Sequence, residues 1–329
     1  MAFVIRASAH YLPRTQLSAE QLDVRLGLPA GHCRQRYGVD VRHYAEADES
    51  ALFMGAEAAQ AALNEAGLTL ADIDLLLSAS GTNHQALPYN AAGLLHAMQS
   101  PAPLASFDVN ATCLSFLAAL DLADAWIARG RHRRVLIVSS EVAKVGVHDH
   151  DTEAATLFAD GAAAFILEAS DDNRGLITSH FQTHTQGYDY CQIRAGGSGL
   201  HPSRHGAEVT TAGSYFEMQG KALYRLVAQL APDFIERGLA PSGLKLSDID
   251  YYVPHQASHA GLANLTRQLN LDPAKVVNCF ARYGNQIAAS IPMALDHLRR
   301  HRPIEPGRTT ALLFGSAAGL ALGMGVVRL

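Results

Sequence analysis

An internal repeat constrains this chain more than any other feature. The segment Gly67-Leu68-Thr69-Leu70-Ala71-Asp72-Ile73-Asp74-Leu75-Leu76-Leu77 aligns with Gly243-Leu244-Lys245-Leu246-Ser247-Asp248-Ile249-Asp250-Tyr251-Tyr252-Val253, and six of eleven positions are identical. Gly67 falls on Gly243, an offset of 176 residues. The same offset carries the strand-like Val135-Leu136-Ile137-Val138 onto Ala311-Leu312-Leu313-Phe314. A unit this long is a duplicated domain, because solenoid units run to only a few tens of residues. The 329 residues are therefore expected to fold as two similar halves, 1–170 and 171–329.

Each half alternates helical and short apolar patterns. The first predicts helices over 50–67, 87–99 and 113–129, with strands over 74–79, 105–109, 135–139 and 162–168. The second predicts helices over 220–237, 257–269 and 290–301, with strands over 250–253, 276–279 and 310–314. Such alternation indicates an α/β fold with mainly parallel sheets covered on both faces. Two such βαβαβ halves predict a five-layered α-β-α-β-α arrangement. Residues 311–327 carry no charge and place Gly315, Gly319 and Gly323 at a spacing also found in membrane helices. That stretch is short for a bilayer span and rich in glycine, so two buried strands joined by a turn are expected.

Composition narrows the function. Hydrophobic residues make up 48% and charged residues 17%, as in a globular protein with a large core. A net charge of -5 gives no reason to expect a nucleic-acid partner, and no membrane partner is expected. Cys33, Cys113, Cys191 and Cys279 form no C-x-x-C pair, so neither a zinc site nor a redox motif is indicated. Few cysteines in a long chain suit a reducing cytoplasm. The first residues lack the apolar stretch of a secretion signal.

Chemistry is concentrated at three positions. Cys113 follows the apolar strand at 107–109 and precedes a helix, where unpaired N–H groups and the helix dipole favour a thiolate and an oxyanion. A small buried cysteine is the competing reading. His255 lies at a strand end in Val253-Pro254-His255-Gln256. Asn285 follows Gly284 in a loop near the repeat equivalent of Cys113, so pseudo-symmetry would bring it beside the thiol. A Cys–His–Asn set can serve two steps. The thiolate takes an acyl group from a thioester, and neutral donors then stabilise the enolate left when a malonyl thioester loses carbon dioxide. A papain-like protease also uses these residue types, but its cysteine signature is absent.

Several spaced motifs resemble those of the 3-oxoacyl-acyl-carrier-protein synthase III family. They are Gln35-Arg36-Tyr37-Gly38-Val39, Thr112-Cys113-Leu114-Ser115-Phe116, Phe158-Ala159-Asp160-Gly161-Ala162, Phe216-Glu217-Met218-Gln219-Gly220-Lys221, Val253-Pro254-His255-Gln256-Ala257 and Gly284-Asn285 with Ala288-Ala289-Ser290-Ile291-Pro292. The resemblance implies the thiolase fold and a homodimer. It implies acyl-CoA, malonyl or acyl-carrier-protein thioesters as substrates, with no cofactor and no metal. It makes Cys113 the nucleophile, His255 and Asn285 the decarboxylation pair, and the backbone N–H groups of Cys113 and Ala318 the oxyanion hole. It places Arg36, His32, Leu87, Phe116 and Ser258 in substrate binding. The tunnel mouth departs from the family. His32 stands for tryptophan, Thr152 for arginine, Ser258 for asparagine and Ala260 for arginine, which suggests a synthase of specialised metabolism.

Other readings predict different features. An α/β-hydrolase needs a G-x-S-x-G elbow, which is absent. The His148-Asp149-His150-Asp151 run reads as a polar loop before it reads as a metal site. A non-catalytic partner subunit would lack the nucleophile. A head-to-head condensing relative uses an extra glutamate, which 83–87 does not supply. An acyltransferase passing the Cys113 acyl group to a non-malonyl nucleophile is the nearest alternative.

Overall fold

The computed structural model describes residues 2–329. The first main sheet contains β1 (Ala2–Tyr11), β2 (Leu75–Ser78), β3 (Ala105–Asp108), β4 (Arg134–Glu141) and β5 (Gly161–Ser170), in the order β1-β5-β4-β2-β3. The second contains β6 (Gly175–Thr183), β7 (Tyr251–Pro254), β8 (Thr310–Ala317) and β9 (Ala321–Arg328), in the order β7-β8-β9-β6. Read from the opposite edge, the second order repeats the first. β6 corresponds to β1, β9 to β5, β8 to β4 and β7 to β2.

Helices α1 (Ala51–Ala66) and α2 (Asn90–Ala97) cover the outer face of the first sheet. The central layer holds α3 (Ser115–Ala128) and α6 (Ser290–His301). The outer face of the second sheet carries α4 (Gly220–Leu239) and α5 (His259–Gln268). These are the five layers of the thiolase fold. Where the central layer meets the two sheets its faces are mostly apolar, although α6 also buries Asp296, which accepts from Ser8 and Arg300. Leu114, Phe116, Leu117 and Leu120 pack with Leu75, Ile137, Ile291, Leu295 and Leu313 in one core.

Two expectations need correction. The sheets are mixed: β2 runs parallel to β3 and β4, and β7 to β8, whereas β1, β5, β6 and β9 all pair antiparallel. β1 and β6 escaped the sequence reading because polar and basic residues interrupt their apolar pattern. The strand expected over 276–279 is reduced to one bridge between Val276 and Tyr252. Pro273 and the short turn it begins leave too little extended chain for a ladder. The uncharged C-terminal stretch is the antiparallel pair β8–β9, and no described helix is long and apolar enough to cross a membrane.

Candidate active site

Cys113 sits in the turn from β3 into α3. Asn110 Oδ1 accepts the Thr112 N–H at 2.9 Å, and Ser115 Oγ accepts the Ala111 N–H at 3.0 Å. Ser115 Oγ also donates to the Thr112 carbonyl at 2.7 Å. These bonds hold Thr112 at φ 50, a left-handed conformation that a β-branched residue rarely adopts. The strained residue directly precedes the cysteine.

The thiol is half-buried. Its own N–H and that of Ala318 lie against the sulfur. The expected thiolate stabilisation is outweighed, however. Burial pushes the Cys113 thiol up to about 12, the Glu141 carboxylate and then Cys191 add to the rise, and the two N–H groups pull the other way. Loss of water around the sulfur costs its anion more than one helix end returns.

His255 follows β7. Its N–H donates to the Phe314 carbonyl at 2.8 Å, and its Nδ1 meets Ser290 Oγ at 2.8 Å. Burial pushes the imidazole down to about 4, so the ring is neutral at physiological pH. Its neighbour Gly315 has no room for a side chain: a Cβ there would lie 2.7 Å from His255 Cβ.

Asn285 is fixed by its backbone and its amide. Its N–H donates to Leu157 O at 2.8 Å, and its carbonyl accepts from Ala159 N at 3.0 Å. Oδ1 accepts the Ile287 N–H at 3.0 Å, which leaves the amide nitrogen to donate, with Ala257 O at 3.4 Å as its one partner among the described residues. Arg42, wholly buried, braces this loop by donating to Phe280 O, Ala281 O and Thr156 O. At Gly284 (φ 70) a Cβ would meet Arg42 Nε at 2.8 Å.

Glu141, at the end of β4, ties the site together. It accepts from Gly81 N and from the Thr82 amide and hydroxyl, and burial pushes its carboxyl up to about 7. A Cβ at Gly81 would lie 2.7 Å from Ile287 Cγ2 and 3.2 Å from the Thr112 carbonyl carbon. The cysteine turn and the asparagine turn therefore meet there. The sequence reading missed Glu141, Arg42 and Ser290 as supports, since nothing local distinguishes them from other buried polar residues.

Cys113, His255, Asn285 and Ala318 line one cavity of about 1720 Å³, together with Arg36 and Ser258. The other expected substrate residues lie elsewhere. Phe116 is buried in the core against Phe165, with ring centroids 5.1 Å apart, because it points from α3 into the central layer. His32 packs on Tyr37 outside the cavity lining. Leu87 is 84% exposed, beyond the cavity wall that Gln85 and Ala86 form. Among the described residues no group of three or more His, Cys, Asp or Glu side chains is placed to hold a metal.

Five layers built from two similar halves, with a cysteine at a strand-to-helix turn in the middle, define a thiolase-fold protein. The family description 3-oxoacyl-[acyl-carrier-protein] synthase III matches residues 107–187, and its C-terminal counterpart matches 239–329. The chain is 32% identical to the beta-ketoacyl-[acyl-carrier-protein] synthase III of Rhodospirillum rubrum and 33% identical to that of Granulibacter bethesdensis, covering 99% of each chain in both cases. The solved synthase III of Pseudomonas aeruginosa superposes with a TM-score of 0.87 at 29% identity, over 100% of this chain and 98% of that one. The priming beta-ketosynthase of the R1128 polyketide pathway gives 0.89 at 25% identity, over 100% and 96%. The chain belongs to the 3-oxoacyl-[acyl-carrier-protein] synthase III family and is an acyl-transferring condensing enzyme.

Proposed function

We propose that the enzyme carries an acyl group on Cys113 and condenses it with a malonyl thioester. In the first step the Cys113 sulfur attacks the donor carbonyl, and the carrier thiol leaves with the thiol proton. The N–H groups of Cys113 and Ala318 hold the oxyanion, each worth roughly 3 kcal/mol. In the second step the malonyl C–C bond breaks, carbon dioxide leaves, and its electron pair passes to an enolate. His255 and Asn285 donate to the enolate oxygen. The enolate carbon then attacks the acyl carbonyl, Cys113 departs, and a 3-oxoacyl thioester is released.

The observation that carries this reading is the donor set around one cavity. Two backbone N–H groups lie on the Cys113 sulfur, His255 is neutral, and the Asn285 oxygen is already engaged so that its nitrogen is left to donate. A buried imidazole held near 4 is a weak base, so it suits hydrogen-bond donation to an enolate better than proton abstraction from an alcohol or amine acceptor, which disfavours transfer to such a nucleophile.

Acyl-CoA or acyl-carrier-protein thioesters would enter past Arg36, Lys221 and Arg225, which are exposed on the cavity lining and suited to phosphate. The chain would work as a homodimer, with exposed Leu87 against the second copy. Its four free cysteines support a reducing cytoplasm. The departures at 32, 152, 258 and 260 favour a role in specialised metabolism. Intact-mass measurement and peptide mapping after incubation with a panel of acyl donors should find the added acyl mass on Cys113. An acyl group on Cys33, Cys191 or Cys279 instead would refute the assignment.

A further inference from the structure

The hydrogen bonds behind His255 decide which of its two ring nitrogens carries the proton. Ser290, the first residue of α6, is 1% exposed. Its Oγ has two partners among the described residues, the Gln256 N–H at 2.8 Å and His255 Nδ1 at 2.8 Å. A backbone N–H can only donate, so it occupies a lone pair of Oγ. The hydroxyl proton then has one acceptor in reach, His255 Nδ1. If Nδ1 were protonated instead, two donors would face Oγ and the hydroxyl proton would be buried without a partner, which is costly. A neutral imidazole has a single N–H. With Nδ1 accepting, that N–H is on Nε2.

We infer that Ser290 is a positioning residue that holds His255 as its Nε2–H tautomer, so that the ring donates into the cavity beside Cys113. Nε2 has no partner in the protein among the described residues, and His255 lines the cavity. Burial keeps the ring neutral, as this arrangement requires. The inference deepens the proposed decarboxylation step and rests on it only for the kinetic consequence.

The test begins with the full-length wild-type protein labelled with ¹⁵N-histidine, using the His255→Asn spectrum to assign the signal. Wild type should show a neutral His255 protonated at Nε2; protonation at Nδ1, or an imidazolium near pH 7, would overturn the inference outright. Ser290→Ala should lose this single tautomer. Its rate of carbon dioxide release from a malonyl thioester should fall on the order of 10–100-fold, the size seen when the hydrogen-bond partner behind a metal-binding histidine is removed. Cys113 acylation should fall by a smaller factor. Ser290→Thr keeps the hydroxyl and should restore both tautomer and rate. An alanine variant that keeps the Nε2–H form and releases carbon dioxide within roughly twofold of wild type would also overturn the inference. Should the alanine variant not fold, Ser290→Cys, a poorer donor, is read in its place. If Asn285→Ala and His255→Asn both left decarboxylation unchanged, the proposed function would fail while the tautomer assignment stood.

Discussion

In the first half Ala79 directly follows β2, and in the second half His255 directly follows β7, at the repeat offset. The backbones agree closely. Ala79 N donates to Val138 O at 2.7 Å, and His255 N donates to Phe314 O at 2.8 Å. Just before the same two strands, Asp74 accepts the Arg134 N–H and Asp250 accepts the Thr310 N–H, each at 2.8 Å. The side chains differ. Beside Ala79 stands Ser139, whose hydroxyl donates back to Ala79 O at 2.7 Å. Beside His255 stands Gly315, because the imidazole leaves no room for a Cβ. The duplication preserved strand pairing, which depends on backbone, and allowed the strand ends to diverge. In the proposed reaction one half would carry the nucleophile and the other the neutral donors.

Asn285→Ala tests that division most severely. Decarboxylation of a malonyl thioester should lose on the order of 2–4 kcal/mol of transition-state stabilisation, while acylation in the other half changes far less. Separate assays of acyl-enzyme formation and carbon dioxide release check it, and equal losses in both would end the division of labour between halves.

The histidine should also leave a mark on stability. Its folded pKa is about 4 against an ordinary 6.5. The unfolded chain therefore binds a proton in that window and the folded one does not, so the His255 contribution is complete above pH 6.5 and is lost as pH falls toward 4. Wild type should lose about 3 kcal/mol relative to His255→Ala across this window. Denaturant titrations of both proteins from pH 4 to 7 measure the difference, and parallel curves would mean the ring is not buried neutral.

The strand neighbours give a matched pair. Gly315→Ala should lower stability by about 1–3 kcal/mol through overpacking, and should slow decarboxylation because His255 must move. Ser139→Ala removes one hydrogen bond, worth about 1 kcal/mol, and should leave acylation near wild type. Melting curves with both half-reaction assays would separate them, and a harmless Gly315→Ala would remove the steric reason for the asymmetry.

The smallest effect concerns the donor. His32 packs away from the cavity and Thr152 offers no planar cation, so the nucleotide end of coenzyme A should add less than about 1.4 kcal/mol, or tenfold. Matched coenzyme A and pantetheine thioesters, compared by Cys113 acylation rate, check it. A hundredfold coenzyme A preference would restore nucleotide recognition.

Much of this was legible beforehand, for local reasons. The repeat at Gly67 and Gly243, the helices α1, α3 and α6, and the strands β2, β4, β7 and β8 follow from apolar periodicity over neighbouring residues. Cys113, His255 and Asn285 each sit where a strand or glycine signals a turn, so their places were readable. β1 and β6 were not, because each gains its partner from distant chain and buries only part of its length. Phe116 was assigned to the substrate from its motif, yet the rotation of α3 turns it to Phe165 in the core.

The sequence by itself determined the doubled architecture and which residues are the candidates for the proposed chemistry, since both depend on short-range pattern and chemistry. Only the tertiary structure decided their electrostatics. Burial raised the Cys113 thiol against its helix end, made His255 neutral, and set Ser290, 35 residues away in the chain, behind its Nδ1. Solvation and hydrogen-bond direction are properties of what surrounds a group in space, and most of those neighbours are remote in sequence.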